Sequence, residues 1–249
     1  MAKFFRTSDG YVVEDGGTFR AVEGELFGNW SAGRDVPAPS VLLAPVVPSK
    51  IVCIGLNYKD HAAEQGKPLP AEPLIFLKPS TAIVDPGAPV VLPPGVGRVD
   101  YESEVALVIG RRATRVAEAE ALDYVFGLTC MNDVTARELQ KKDGRYTRAK
   151  GFDTFAPLGP CIATGLDVGA LAIEGLLNGE TRQQSSTREL IFPVAHLIAY
   201  ISRIMTLLPG DIVSTGTPAG IGPLAAGDEI IVRVEGIGEL RNPVVAGNW

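Results

Sequence analysis

The stretch VDYESEVALVIG, residues 99–110, reads in two ways at once. Val105, Ala106, Leu107, Val108 and Ile109 form a short apolar run rich in branched residues, a strand entering a core. The residues before it carry Asp100, Glu102 and Glu104. Strand side chains alternate faces, so a continuous strand points all three acids the same way. Glu102 and Glu104 then stand roughly 7 Å apart along one face. At a solvated edge such acids only face water. In a core, paired carboxylates favour protonation of one, or a cation between them.

A cation needs more ligands than two. Asp133 ends FGLTCMND (126–133) and precedes VTARELQ, where it can also serve as a helix N-cap. With a helix running through it, Asp133, Arg137 and Gln140 fall at i, i+4 and i+7 on one face. That face offers a ligand, a guanidinium able to grip a carboxylate at two points, and an amide. Glu102, Glu104 and Asp133 form an all-oxygen donor set. Such a set suits Mg²⁺, Mn²⁺ or Ca²⁺ rather than zinc or copper.

His61 and Glu64, in NYKDHAAE (57–64), sit three residues apart on a short helix candidate ended by Gly66. A carboxylate beside an imidazole orients it as a base. Gly55 and Gly66 bracket this helix as candidate hinges of a lid. His196, on an apolar helix, reads as structural. Lys150 lies in RYTRAKGFDTF (145–155). GTPAGIGP (216–223) has neither dinucleotide nor P-loop spacing and reads as a tight turn whose backbone can approach a ligand. No GxSxG elbow appears, which argues against a serine hydrolase.

The 249 residues carry a net charge of −6. That acidic balance argues against a nucleic-acid or anionic-membrane surface. No run approaches the ~20 apolar residues of a membrane span, and no signal-peptide core opens the chain. Cys53, Cys130 and Cys161 lie in apolar sequence without metal spacing and read as buried thiols in a reducing, cytoplasmic setting.

Strands outnumber helices and do not alternate with them in βαβ order, which gives an α+β, β-rich class. YVVEDGGTFRAVEG and LLNGETRQQS read as hairpins turning at Gly-Gly and Asn-Gly. VAEAEALDYV and VTARELQKKD read as helices. The clearest helix is FPVAHLIAYISRIMTLLPGD, with an apolar stripe through Val194, Leu197, Ile198, Ile201, Ile204, Met205 and Leu208. A Pro-bearing stretch places a boundary near residue 45, dividing a small β unit (1–45) from a larger domain (46–249).

In order, IGLNYKDHAAE, PLIFLKPSTA, DYESEVALVIG, MNDVTARELQ, AKGFDTFAPLGP and PGDIVSTGTPAGIGP resemble the fumarylacetoacetate hydrolase family over roughly residues 48–245. The resemblance implies a mixed β-sandwich roll with flanking helices, usually a homodimer. It implies Mg²⁺ or Mn²⁺ held by Glu102, Glu104 and Asp133. It also implies a catalytic His61–Glu64 dyad, Lys150 lining the site, and substrate contacts from Arg137, Gln140 and Thr217. The implied substrate is a small 2-oxo acid. Overall likeness favours an isomerase or decarboxylase of 2-hydroxyhepta-2,4-diene-1,7-dioate and its carboxylated precursor, in homoprotocatechuate (4-hydroxyphenylacetate) catabolism. The alternative is a C–C hydrolase of acylpyruvates or fumarylpyruvate, or an oxaloacetate decarboxylase. A metal-binding scaffold would keep the carboxylates but would not need His61, Arg137 or Lys150.

Overall fold

The computed structural model describes residues 1–248. Four strands open the chain as a meander: β1 (Ala2–Thr7), β2 (Gly10–Asp15), β3 (Thr18–Gly24) and β4 (Trp30–Asp35). Next come β5 (Ile51–Gly55), helix α1 (Lys59–Glu64) and β6 (Leu74–Lys78). Short strands β7 (Ile83–Val84), β8 (Val90–Leu92) and β9 (Val99–Tyr101) precede β10 (Ser103–Ile109) and β11 (Val125–Asn132). β12 (Thr135–Ala136) leads into α2 (Arg137–Asp143), α3 (Thr147–Lys150) and β13 (Ala156–Ala163). A hairpin of β14 (Ala172–Leu177) and β15 (Glu180–Ser186) is followed by α4 (Val194–Ile204). β16 (Ile212–Ser214), β17 (Gly222–Pro223), β18 (Glu229–Val234) and β19 (Gly238–Ala246) complete the order.

The strands form a sheet of eleven, a sheet of five (β15-β14-β18-β19-β8) and a small sheet of three (β12-β9-β17). β10 lies inside the largest sheet between β11 and β16 and is buried along its whole length. Its alternation feeds two cores. Val105, Leu107 and Ile109 pack with Ile173, Val232 and Leu240 of the five-stranded sheet and with Leu197 and Ile201 of α4. Ala106 and Val108 pack with Ile51, Cys53, Met131 and Ile162 on the other face. A strand covered on both faces needs a continuous apolar run, which is what residues 105–109 supply. Each large aliphatic side chain buried there contributes roughly 1.5–3 kcal/mol. All three cysteines are free and buried.

Both hairpins form at the expected turns. Gly16-Gly17 (φ +59° and +84°) pairs Asp15 with Thr18, and Asn178-Gly179 (φ +54° and +82°) pairs Leu177 with Glu180. Left-handed φ at both central residues matches the twist of the flanking strands. The N-terminal meander continues the large sheet, with β1 paired to β13 through Lys3–Ala163 and Phe4–Ile162. The stretch between Asp35 and Ile51, which holds the expected boundary, contains no strand or helix of its own. No helix among the described residues is long and apolar enough to cross a membrane.

Three elements differ from the sequence reading. VDYESEVALVIG is two strands, because the backbone leaves the ladder at Glu102 and β9 joins another sheet. Residues 118–124 form a 3-10 helix rather than an α-helix. α4 stops at Ile204, since Leu207 bridges to Ala113 and pulls the backbone extended from Met205 onward. Ile204 is 58% exposed, and Met205 and Leu208 lie beyond the helix.

Asn57 ties three segments together beneath the site. Its amide donates to the Thr215 carbonyl (2.8 Å) and the Phe192 carbonyl (3.2 Å), and its carbonyl accepts the Phe192 amide (2.8 Å). Asn57→Ala orphans these buried groups and is expected to cost about 2–4 kcal/mol. In a chain of this size that lowers Tm by roughly 5–10 °C in a calorimetric scan.

Candidate active site

Glu102, Glu104 and Asp133 meet at the floor of a cavity of about 500 Å³. One oxygen from each lies within 4.8 Å of the others, and all three residues are buried. The sheet sets this placement. β10 and β11 pair Ser103 with Asn132 and Glu104 with Met131. Where both strands leave the ladder, the Asp133 amide donates to the Glu102 carbonyl (2.8 Å). The Asn132 side chain in turn accepts the Glu102 amide (2.9 Å).

Three cations surround the acids. Lys150 donates to Glu102 (2.9 Å), Asp133 (2.5 Å) and the Thr135 hydroxyl (2.7 Å). Lys78 donates to the other Asp133 oxygen (2.5 Å) and to the Val134 carbonyl (3.1 Å). Arg137 holds Glu102 (2.5 Å) and Asp100 (2.9 Å), and a third nitrogen reaches Gln140 (2.7 Å). The two lysines respond differently to the same burial. Burial pushes Lys78 below its ordinary value, and its one carboxylate, Asp133, does not restore it. Burial acts on Lys150 too, but Asp133 and Glu102 together outweigh it and hold the ammonium well above its usual range.

The glutamates split as well. Burial raises Glu102, yet Lys150 and Arg137 overcome it and bring the carboxyl to about 2. Glu104 has no such partner. Burial, with Asp133 and Glu102 nearby, raises it to about 8. Its Oε2 accepts from the Ser214 hydroxyl and the Gly216 amide. Its Oε1 accepts no hydrogen bond from the described residues, which leaves it free at the floor.

The Gly-rich loop serves the carboxylates through its backbone. The Gly216 amide holds Glu104, and the Gly220 amide donates to Glu64 (2.9 Å). Gly216 has φ +98°, and a Cβ there would stand 2.9 Å from Asn57 Cβ, so no other residue fits comfortably. Thr217 lines the cavity, but its hydroxyl donates to the Ser103 carbonyl (2.9 Å) and accepts from Gln183 (2.8 Å).

His61 lines the same cavity. Its Nδ1 pairs with Glu64 at 2.9 Å, and its Nε2 meets the Gln65 amide nitrogen at 2.7 Å. The Glu64 carboxylate on Nδ1 orients the ring. α1 is anchored at both ends, by Ser185 donating to Asp60 (2.6 Å) and by the Glu64–Gly220 bond. Gly66 takes φ +62° after the helix, whereas a Cβ at Gly55 would press on Leu74.

Two readings of local geometry need correcting. Asp100 does not join the triad: the break at Glu102 puts it in another sheet, where it binds Arg98 and shares Arg137 with Glu102. Asp133 does not share a helical face with Arg137 and Gln140. Residues 135–136 pair with β9, so α2 begins only at Arg137. Arg137 and Gln140 still meet, at i, i+3, and line the cavity. Sequence reasoning gave no role to Lys78, Gln65 or Ser214. The one available signal for Lys78 was a lysine closing the apolar strand LIFLK.

Residues 50–245 match the fumarylacetoacetate (FAA) hydrolase C-terminal family. The chain belongs to this family. The crystal structure of 2-hydroxyhepta-2,4-diene-1,7-dioate isomerase from Mycobacterium marinum superposes with a TM-score of 0.91 at 42% identity, covering 100% of this chain and 99% of that one. A protein of Archaeoglobus fulgidus is 51% identical over 96% of this chain and 94% of its own. Oxaloacetate tautomerase fahd2, mitochondrial, of Xenopus laevis is 43% identical over 82% of this chain and 68% of its own.

The donor set fits a divalent cation. Three buried carboxylates converge, and the oxygen left free belongs to the one acid without a cationic partner. Each lysine-bound oxygen keeps a second lone pair. A cation must displace the proton that Glu104 holds below about pH 8. Mn²⁺ affinity is therefore expected to fall as pH drops through that value, with proton release seen by calorimetry in buffers of different ionisation enthalpy. The metal-free protein should show the opposite slope in stability. A carboxyl raised in the folded state stabilises below its unfolded value and loses that contribution as pH rises through its folded one. Tm of the metal-free form should thus fall from about pH 5 to pH 8 and level off above it, and Mn²⁺ should abolish the fall.

Proposed function

We propose that this family member is a Mg²⁺- or Mn²⁺-dependent isomerase or decarboxylase of 2-oxo (2-hydroxy-diene) dicarboxylates, acting in homoprotocatechuate (4-hydroxyphenylacetate) catabolism. The observation that carries the reading is the free Oε1 of Glu104 beside Glu102 and Asp133, at the floor of a cavity that also presents Arg137, Gln140 and Lys150. A divalent cation held by the three acids would supply Lewis acidity at a 2-oxo carboxylate. The chain's own groups do the rest. Negative charge develops on the 2-oxo oxygen as the adjacent bond breaks. Lys150, a buried ammonium kept charged by two carboxylates, stabilises that charge. Arg137, fixed by Asp100 and Glu102, and Gln140, whose amide nitrogen is not used by Arg137, orient the substrate's polar end. His61, oriented by Glu64, carries the proton.

The likeness to the M. marinum isomerase over the full chain supports this choice of substrate. We place the protein in the cytoplasm as a homodimer. Strand β6 ends the large sheet, and an edge strand of this kind suits a self-complementary contact.

The His61–Glu64 pair favours a second reading, C–C hydrolysis of acylpyruvates or fumarylpyruvate, since an imidazole backed by a carboxylate can activate water. The likeness to the X. laevis tautomerase adds oxaloacetate as a substrate of the shared proton-transfer chemistry.

Proton NMR of the Mg²⁺-loaded protein with a 2-oxoheptenedioate, oxaloacetate and an acylpyruvate separates these readings. Double-bond migration on the seven-carbon diacid, or loss of CO₂ from its carboxylated precursor, abolished by EDTA, is the expected result. Splitting of the acylpyruvate to pyruvate and a free acid would assign a hydrolase instead. Lys150→Ala is expected to lower kcat by about a hundredfold or more on whichever substrate turns over. Unchanged turnover would remove Lys150 from the mechanism.

A further inference from the structure

The cavity has two kinds of cation. Arg137 and Lys150 reach the floor, and each is committed to carboxylates there: Arg137 to Asp100 and Glu102, Lys150 to Glu102 and Asp133. Lys67 and Lys141 also line it, and neither ion-pairs nor hydrogen-bonds through its side chain among the described residues. Both are exposed, so they stand where the cavity opens to solvent. They come from different elements. Lys141 belongs to α2, four residues after Arg137 and therefore on the same face. Lys67 follows Gly66, whose left-handed turn ends the segment that carries His61 and Gln65.

The lining holds three carboxylates, all at the floor, and four side-chain cations. A divalent cation at the floor raises the lined charge to about +3. A 2-oxo monoacid neutralises one unit and leaves both outer lysines unanswered. A diacid answers them with its second carboxylate. We infer that Lys67 and Lys141 receive the distal carboxylate of the substrate and make the site selective for 2-oxo diacids over 2-oxo monoacids. The inference rests on the metal-dependent 2-oxo acid reading above and adds to it the partners of the second carboxylate. A cavity of about 500 Å³ is within the size range that encloses small organic ligands.

One exposed ion pair is weak, whereas two lysines converging on one carboxylate give a preference of roughly tenfold. The test is calorimetric titration of the Mn²⁺-loaded protein with three probes: oxalate, 2-oxoheptanedioate and 2-oxoheptanoate. The dioate is expected to bind about tenfold or more tighter than the monoacid. In Lys67→Ala/Lys141→Ala the two should bind alike, with oxalate affinity held within about twofold as evidence of an intact floor and fold. Lys67→Glu/Lys141→Glu should reverse the preference. Equal binding of dioate and monoacid by the unsubstituted protein, or a preference that survives the double alanine variant, overturns the inference and leaves the metal site standing. Failure of oxalate to bind the loaded protein at all overturns the 2-oxo acid reading, and the inference with it.

Discussion

Three carboxylates buried within reach of one another are the constraint around which this molecule is organised. An ion taken out of water costs several kcal/mol unless a partner answers it. The fold supplies Lys78, Lys150 and Arg137 from three separate elements, and their charges are spent on Asp133 and Glu102. Glu104 gets only a hydroxyl and a backbone amide on one oxygen. The arrangement is therefore uneven. Lys150 and Arg137 hold Glu102 ionised, Asp133 is paired with both lysines, and Glu104 carries its own proton until something of higher charge replaces it. Full neutralisation by the protein would leave a cation nothing to gain. No neutralisation would leave the floor too costly to bury.

The parts of the site sit on supports of different stiffness. Glu104 is on a strand buried between two neighbours, and Glu102 and Asp133 sit where two paired strands leave the ladder together. Such a support fixes ligand positions to within a small fraction of their separations. His61 rides on a helix of six residues, too short to be stable by itself. What holds it are side-chain tethers at either end, Ser185 to Asp60 and Gly220 to Glu64. Glu64 is thus both the partner of the imidazole and the anchor of its helix, so loosening the helix also loosens the orientation of the base.

Much of this was legible from residue order. The apolar run 105–109 identified the central strand, and the Gly-Gly and Asn-Gly pairs identified the hairpins, because those are local statements about periodicity and φ. Glu102 and Glu104 were legible as a pair because uncompensated acids beside apolar sequence are costly, whereas Asp133 joined them through a helical face that does not form and through the family resemblance. The break at Glu102 was not legible. It depends on β9 pairing with β12 and β17, far along the chain, and nothing in VDYESE signals it. The same long-range pairing delays the start of α2 and takes Asp133 off its face. Lys78 was invisible for another reason. A lysine ending a strand usually reaches solvent along its aliphatic stem, and only the fold shows that this one ends on Asp133.

The floor alone does not choose a reaction, since isomerisation, decarboxylation and C–C hydrolysis all place charge on the same 2-oxo oxygen. On the proposed reading, the choice falls to His61. Its Nε2 lies 2.7 Å from the side-chain amide of Gln65, the residue directly after the helix. For His61 to take a proton, the amide must give way, to a water in hydrolysis or to a substrate carbon in isomerisation. Gln65 also lines the cavity, so a substrate that fills the space displaces the amide directly, and a small one leaves room for water beside it. Size and charge at the cavity mouth thus bear on chemistry as well as on affinity. On the proposed reading, a long diacid held by the outer lysines would exclude the water that hydrolysis uses.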